Sequence, residues 1–162
     1  MKKALLLLAV FLAGYFVFST YSLGKHSFIC PIDYKGEFMI RIDGRGNGLF
    51  GSPRSGRRLH KGVDLLAEVN TPVLASRSGT VIAAKRNRGM GNYIIIRHSI
   101  GLITIYGHLS RKYVVKNQFV HQGDVIGAVG KTGNARYSVI QPHLHFEIRK
   151  NGVAEDPLDY LE

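Results

Sequence analysis

Two histidines one residue apart, His143 and His145, are the residues of this chain whose types and spacing point most directly to chemistry. They lie in residues 142–149, where apolar and polar residues alternate strictly after a proline. A period of two predicts a half-buried strand with its apolar face on a core. Both imidazoles would then share the polar face, about 7 Å apart at a rise of about 3.3 Å per residue. One can hold a metal while the other moves a proton, but solvated or hydrogen-bonded histidines produce the same pattern.

A third histidine and a carboxylate, His60 and Asp64, supply partners for such a site. On a straight strand they would lie about 13 Å apart and could not share an ion. Gly62 between them permits a bend that brings them together. The spacing alone is very common in proteins. Beside the paired histidines, however, it completes a set of two histidines and one carboxylate, as in zinc sites that keep a fourth position open to water.

His108 is a further candidate, at the end of a strand predicted over residues 102–108. On this strand Thr104, Tyr106 and His108 share one face, which we expect to be the polar one, opposite two isoleucines. Taken alone, this is the pattern of a surface histidine.

The remainder of the chain predicts short strands separated by turns that contain glycine. The predicted strands cover residues 37–43, 71–76, 80–84, 93–98, 102–108, 114–120, 125–129 and 142–149. No stretch shows sustained helical periodicity beyond the leader described next. The spacing of strands and turns predicts one all-β domain of the sandwich or barrel type.

The first 24 residues have a different composition. Two lysines follow the initial methionine, and an uncharged, mostly apolar stretch extends over residues 4–24. As a helix it would be about 31 Å long, enough to cross a bilayer core. We expect a signal peptide or, in preference, an uncleaved single-pass anchor with the lysines in the cytoplasm. Either one places the domain outside the cytoplasm, in the cell envelope.

The chain is strongly basic, with 22 lysines and arginines against 11 acidic residues and a formal net charge of +11. An exported chain without an aromatic-basic motif is not expected to bind nucleic acid. We expect contact with an anionic envelope surface, either lipid head groups or wall polymer, or a charge that serves only solubility. The single cysteine, Cys30, excludes an internal disulfide and is expected to be a buried free thiol, or less readily to form an intermolecular bridge.

Taken together, the motifs resemble the lysostaphin-type, or LytM-like, zinc endopeptidases, which cut peptide bonds in bacterial peptidoglycan. The resemblance covers roughly residues 48–161 and rests on motifs in a fixed order. They are Phe50-Gly51, Arg54, His60-x-Gly62-x-Asp64, Pro72-Val73-x-Ala75, Gly79-x-Val81, His98, Tyr106-Gly107-His108-Leu109, Gly123-Asp124-x-Ile126-Gly127, Gly130-x-Thr132-Gly133, His143-Leu144-His145-Phe146-Glu147-Ile148-Arg149-x-Asn151-Gly152 and Asp156-Pro157. One departure is Asn117, where the family often has glycine, and asparagine tolerates the left-handed conformation.

The resemblance implies that His60, Asp64 and His145 bind Zn²⁺ and that His143 and His108 act beside the open position. His143 would take a proton from water and pass it to the leaving amine, while His108 holds the water or stabilises the oxyanion, and these two roles can be exchanged. The implied fold is an antiparallel β-barrel/sandwich hybrid of the duplicated hybrid motif type, preceded by the hydrophobic helix.

The expected organisation is a signal peptide or membrane anchor in residues 1–24, a connector and first strand in residues 25–48, and a zinc metallopeptidase domain in residues 49–162. The expected function is hydrolysis of cross-links or stem peptides of peptidoglycan. The alternative is a non-catalytic envelope module that binds peptidoglycan or regulates another wall hydrolase, and the complete five-residue set favours the enzyme. Glycine cross-bridges and D-amino-acid cross-links both remain open as the scissile bond.

Other titratable residues have simpler expected roles. His98 is expected to make structural hydrogen bonds, and His26 and His121 are expected to be solvated. Glu147 shares a face with the paired histidines, where it either orients one imidazole or lies at the rim of the fold.

Overall fold

The computed structural model describes Phe11, Leu12, Tyr15 and residues 28–161. The three isolated positions are helical, but the predicted signal peptide or anchor as a whole, and His26 in the connector, lie outside the described residues. Within the described part, no helix has the length and apolar character needed to cross a membrane.

The described residues form an all-β structure, as predicted. The strands are β1 (Ile42–Asp43), β2 (Gly46–Asn47), β3 (Pro53–Arg54), β4 (Arg58–Leu59), β5 (Val63–Leu66), β6 (Pro72–Leu74), β7 (Gly79–Asn87), β8 (Gly91–Arg97), β9 (Leu102–Leu109), β10 (Arg111–Lys112), β11 (Phe119–Val120), β12 (Val125–Ala128), β13 (His143–Lys150) and β14 (Val153–Glu155). Two short 3-10 helices, Gly133–Arg136 and Pro157–Asp159, interrupt the loops.

Most long strands belong to one antiparallel sheet in the order β11-β7-β8-β9-β13-β14, and β5 pairs with the first half of β13. A second sheet has the order β10-β12-β6, and two hairpins, β1-β2 and β3-β4, stand apart. Over the described residues the sheets stay open and do not close into the barrel part of the expected hybrid. The fold is therefore all-β with two main sheets over a common core.

The core lies between the two main sheets. Val73 of β6 and Ile126 of β12 belong to the same buried cluster as Ile94, Leu109 and Phe146 of the large sheet. Strand β13 contributes alternate residues to this cluster, as its period of two predicts. Its opposite face carries His143, His145 and Glu147, so the core fixes where these side chains point.

The polar face of β13 is also covered, which the half-buried pattern did not predict. All three of its polar side chains at 143, 145 and 147 are buried. Gly62 lies against this strand so closely that a Cβ there would overlap the carbonyl oxygen of Phe146. Because only glycine fits this approach, the chain around His60 can fold over the strand and enclose the site.

Three predicted strands are shorter than expected, and the strand predicted over residues 71–76 is limited to β6. Residues 37–43 form only β1 and an isolated bridge between Ile40 and Leu65. Residues 114–120 form only β11, because Asn117 adopts the left-handed conformation with a φ of 72° and ends the extended run before it. The conformation expected of Asn117 is thus confirmed.

Residues 28–48 pack on the same core. Phe28 and Ile32 are buried in it, and the backbone around Met39 and Arg41 hydrogen-bonds to β5 through Leu66 and Asp64. The proposed domain boundary after residue 48 stays a prediction, but the preceding segment makes structural contacts across it.

The simple roles expected of the other residues are confirmed where they are described. His98 is buried, with Nδ1 2.9 Å from the carbonyl oxygen of Ser78 and Nε2 2.8 Å from Oγ1 of Thr104. His121 is exposed, and Cys30 is a free, partly buried thiol.

Candidate metal centre

Strand pairing brings a carboxylate and a histidine together at the centre of the site. Asp64 on β5 is the direct cross-strand partner of His145 on β13, and its Oδ1 lies 2.9 Å from Nδ1 of that histidine. His60, just before β5, folds back so that its Nε2 is 3.1 Å from the same oxygen and 3.0 Å from the same nitrogen. The bend expected at Gly62 therefore does bring His60 and Asp64 into one cluster.

The outer nitrogens of these two histidines are held by oxygens that can only accept hydrogen bonds. Nδ1 of His60 is 2.9 Å from the carbonyl oxygen of Leu49, and Nε2 of His145 is 3.0 Å from Oε1 of Glu147. Each of these outer nitrogens must therefore carry the proton. The inner nitrogens, Nε2 of His60 and Nδ1 of His145, face Asp64 and each other, and they are the nitrogens that a ligand can use once the centre has lost its proton.

The open question about Glu147 is settled by this contact, since the carboxylate orients His145. Glu147 is itself buried, and Nε of Arg149 lies 2.7 Å from its second oxygen. Burial would raise the pKa of Glu147, but its hydrogen bonds to His145 and Arg149 hold it below the usual value. An ionised carboxylate behind a metal-binding imidazole fixes the ring and raises its basicity.

The ionised carboxylate of Asp64 beside His145 makes this cluster attractive to a cation. Burial opposes charge on Asp64 and on His145. The hydrogen bond between them nevertheless lowers the pKa of Asp64 well below its usual value. Hydrogen bonds to Asp64 and Glu147 raise the pKa of His145 to about 9. A proton therefore occupies the centre when nothing else does.

The donor set fits a zinc ion. Two imidazole nitrogens and one carboxylate oxygen are the ligands that a catalytic zinc site uses. The three atoms lie 2.9 to 3.1 Å from one another, and ligands of a tetrahedral zinc lie roughly 3.3 Å apart, so an ion needs only a small expansion. His60, Asp64 and His145 form a cluster able to hold a metal ion.

His108 reaches this centre by a route that the sequence pattern did not predict. The expectation that it shares a polar face with Thr104 and Tyr106 is wrong, because both of those residues are buried on the core face, where Tyr106 pairs with Phe146. His108 has a φ of 62°, and one extra residue of β9 is inserted between its pairings with β8. This bulge breaks the alternation and redirects the imidazole.

The redirected ring lies beside the paired histidines. Its centroid is 5.0 Å from the ring of His143 and 5.7 Å from that of His145. Nδ1 of His108 is 3.0 Å from the carbonyl oxygen of Thr132, and Nδ1 of His143 is 2.7 Å from that of Gln141. In both rings Nδ1 therefore carries the proton and Nε2 keeps a lone pair.

Burial keeps these two rings neutral. It is the main cause that lowers the pKa of His108 to about 3, aided by the nearby His145 and His143. Burial also lowers the pKa of His143, against the opposing effect of Asp64. A neutral imidazole near pH 7 is able to accept a proton from water.

Arg41 is the main residue that the sequence analysis did not assign to the site. Its guanidinium and that of Arg54 both contact Oδ2 of Asp64. Arg41 is one of the 22 lysines and arginines of the chain, and nothing in its spacing marks it. The carbonyl partners at Leu49, Thr132 and Gln141 were also unforeseen, since every residue offers a carbonyl.

The fold and the cluster define a domain of the metallopeptidase type, and comparison with known proteins gives the family. A model of peptidase family M23 matches residues 58–157, and the chain belongs to this family, which includes the lysostaphin-type enzymes. Peptidoglycan DD-endopeptidase ShyC of Vibrio cholerae is 38% identical over 128 residues, which are 78% of this chain and 28% of ShyC. The chain thus corresponds to little more than a quarter of that relative.

Two solved structures show the same fold. The crystal structure of a zinc containing peptidase from Vibrio cholerae has a TM-score of 0.66 at 30% identity, covering 83% of this chain and 40% of that chain. The SpoIIQ-SpoIIIAH pore forming complex matches with a TM-score of 0.68 at 29% identity, covering 85% of this chain and 92% of the matched chain. The same fold thus also occurs in a chain whose structure was solved as part of a pore forming complex.

Substitution of the three residues of the cluster tests whether they bind the metal. We expect His60→Ala, Asp64→Ala and His145→Ala each to abolish stoichiometric zinc binding, because each removes one of three ligands. His143→Ala should retain the ion, because its Nε2 stands 3.8 Å from Oδ1 of Asp64, outside the close set. Zinc content after dialysis, measured by atomic emission, decides this. Equal loss of zinc in His143→Ala and His145→Ala would contradict the assignment.

Metal binding should also release a proton. Because the pKa of His145 is raised to about 9, its ring is protonated at neutral pH and must lose a proton to become a ligand. Near neutral pH we expect about one proton released per zinc and an apparent affinity that rises as pH increases toward about 9. Calorimetry in two buffers of different ionisation enthalpy measures the release, with His143→Ala as the control. Identical heats in both buffers would show that zinc binding releases no proton.

Proposed function

We propose that this chain is a zinc-dependent endopeptidase that hydrolyses peptide cross-links or stem peptides of bacterial peptidoglycan. The observation that carries the proposal is the convergence of four histidines on one buried carboxylate, three of them with a nitrogen within 3.8 Å of Oδ1 of Asp64 and the fourth, His108, packed against two of those rings. Each of the four histidines, His60, His143, His145 and His108, has one ring nitrogen hydrogen-bonded to an oxygen acceptor outside the centre, which leaves its second nitrogen for the site. We assign the rings of His60 and His145 to the metal and those of His143 and His108 to the handling of water and protons.

When bound, zinc would supply a Lewis acid that polarises a carbonyl and acidifies water. His143 is proposed as the general base, since its neutral Nε2 can take a proton from water and deliver it to the leaving amine. His108 is proposed to hold the same water in position. Because Nε2 of neutral His108 carries no hydrogen, it can accept a hydrogen bond but cannot stabilise an oxyanion until it is protonated.

The substrate class is supported by the relatives and by charge. ShyC is named for cleavage of peptidoglycan, and its matched region includes most of this chain. The net charge of +11 suits a protein that works against anionic wall polymer or lipid head groups. We propose an extracytoplasmic location in the cell envelope, with residues 1–24 as a signal peptide or single-pass anchor.

A second candidate function is a non-catalytic envelope module that binds peptidoglycan or a protein partner. The similarity to the chain in the SpoIIQ-SpoIIIAH complex favours it, since that match covers most of both chains. The complete set of metal and proton-transfer residues favours the enzyme, because an assembly module needs only the fold.

Hydrolysis of purified sacculi separates the two candidates. The zinc-loaded chain should release peptide fragments, a chelator should stop the reaction, and added zinc should restore it, because the chemistry requires the ion. Mass spectrometry of the fragments from defined peptidoglycans identifies the bond. His145→Ala serves as the matched inactive control. Binding to sacculi without fragment release by the zinc-loaded chain would favour the non-catalytic module.

His108→Ala tests the proposed division of labour. We expect the variant to retain zinc and its fold, while kcat falls on the order of 10²-fold or more, as when one transition-state contact is removed. KM should change less, because the contact is assigned to the attacking water and not to the substrate. The measurement is kcat and KM on a soluble cross-linked muropeptide. Near-normal kcat would remove His108 from the mechanism.

A further inference from the structure

Arg41 stands behind the candidate metal centre and is almost fully buried, at 4% exposure. Its Nη2 lies 2.9 Å and its Nε 3.3 Å from Oδ2 of Asp64, so the guanidinium approaches that oxygen with two donors. Arg54 adds a third donor at 3.1 Å, but its side chain is 22% exposed against 5% for Arg41. Arg41 is therefore the better fixed of the two arginines.

The backbone holds Arg41 to the same residue. The amide of Arg41 donates to the carbonyl oxygen of Asp64 at 2.9 Å, and the amide of Asp64 donates to Gly48 at 2.8 Å. Gly48 in turn donates to the carbonyl oxygen of Arg41 at 2.8 Å, which closes a three-residue link. The position of the guanidinium is thus set relative to Asp64 by main-chain hydrogen bonds as well as by the ion pair.

These contacts divide the two oxygens of Asp64. Oδ2 accepts from both arginines, while Oδ1 faces His60 and His145. A carboxylate whose second oxygen is already bonded to several donors has little capacity left to bind a cation with both oxygens. Since catalytic zinc sites keep one position open, a ligand restricted to one oxygen preserves that position.

We propose that Arg41 is a positioning residue for the metal centre, which holds Asp64 so that Oδ1 alone is offered to the ion. The inference rests on the proposed zinc site and adds a residue that lies outside the matched family segment 58–157. The segment that precedes the family domain thereby completes its metal site.

Asp43 keeps Arg41 in place. Its Oδ1 is 2.6 Å from Nη1 of Arg41, and its Oδ2 accepts the amide of Gln141 at 3.0 Å. The carbonyl of Gln141 is the acceptor for Nδ1 of His143. The pair of Arg41 and Asp43 therefore contacts Asp64, a proposed ligand, through the arginine. Through the aspartate it is linked by Gln141 to His143, the proposed base.

Arginine is required here by its geometry. Its planar fork presents Nε and Nη2 to one carboxylate while Nη1 reaches another, and a lysine ammonium offers only a compact point charge. Replacing the fork should weaken zinc binding even when positive charge is kept. A residue needed only for stability would change unfolding without changing the affinity of the folded protein for zinc.

The test compares Arg41→Gln and Arg41→Lys with Arg45→Gln, all in the full chain. Arg45 is exposed, lies in the same segment, and gives the same loss of charge as Arg41→Gln. Zinc affinity is measured by competition with a chromogenic chelator, and the fold by circular dichroism and thermal melting of the metal-free protein. Co²⁺ replaces zinc in a parallel experiment, because its visible absorption weakens when a fifth ligand atom joins a four-coordinate site.

We expect Arg41→Gln to lose about 10- to 100-fold in zinc affinity, as for other groups that orient a ligand, and to show a weaker Co²⁺ band. Arg41→Lys should recover part of the affinity, and Arg45→Gln should match the parent chain. Wild-type affinity in Arg41→Gln and Arg41→Lys would overturn the inference. If Arg41→Gln does not fold, Arg41→Lys decides by the same comparison, and failure of both to fold assigns Arg41 a purely structural role.

The affinity measurement requires no hydrolysis. A parent chain that binds zinc but cleaves no peptidoglycan would refute the proposed enzyme and leave the inference on Arg41 standing. A parent chain that cleaves, with zinc affinity unchanged in both Arg41 variants, would refute only the positioning role.

Discussion

The pairing of β5 with β13 is the constraint on which the rest of the site depends. It sets Asp64 directly opposite His145, two residues whose side chains share the face turned away from the core. A shift by one residue would move the whole polar set of β13 into the core and its apolar set outward. The apolar residues Leu144, Phe146 and Ile148 are all buried in the core cluster, so the register is fixed by hydrophobic burial. Packing therefore positions the chemistry.

Burying so many polar groups on one strand face requires compensation. Uncompensated carboxylates at the positions of Asp64 and Glu147 would be strongly unfavourable, since an isolated charge is costly to remove from water. Each has an arginine partner, Arg41 for Asp64 and Arg149 for Glu147. The two acids can then stay ionised inside the protein, which is the state that orients imidazoles and attracts a cation.

Much of this arrangement is readable from the sequence because it follows from strand periodicity. The alternation around His143 and His145 predicts β13 and the face of each side chain, and Gly62 predicts the bend that brings His60 to Asp64. His108 shows where periodicity fails. Its placement depends on a left-handed residue inside a strand, and an imidazole carries no local signal for that conformation in the way glycine does. The face expected for Tyr106 was wrong for the same reason, because the bulge follows it.

The roles of Arg41 and of the backbone acceptors could not be predicted from the sequence, for a different physical reason. Contacts such as Arg41 with Asp64 join residues that are 23 apart in the chain, and they depend on how the segment before β1 lies along β5. Pattern analysis detects what repeats along one element, while these contacts depend on tertiary packing between elements. The barrel expected from the family resemblance illustrates the same limit. Strand patterns predict the strands, but they do not predict whether the first and last strands of a sheet pair to close a barrel, and over the described residues they do not.

The tautomers favour a bound cation at this site. His60, His143 and His145 each place a ring nitrogen within 3.8 Å of Oδ1 of Asp64, and lone pairs that face a carboxylate are repelled by it unless a positive charge lies between them. In the free protein, the proton on His145 meets part of that need, as its raised pKa shows. A divalent ion at the same point would contact all three inner ligands at once and stabilise the folded state by the free energy of its binding. A module that used only the outer surface of this fold would gain nothing from such an arrangement, so the interior of the site favours a bound cation.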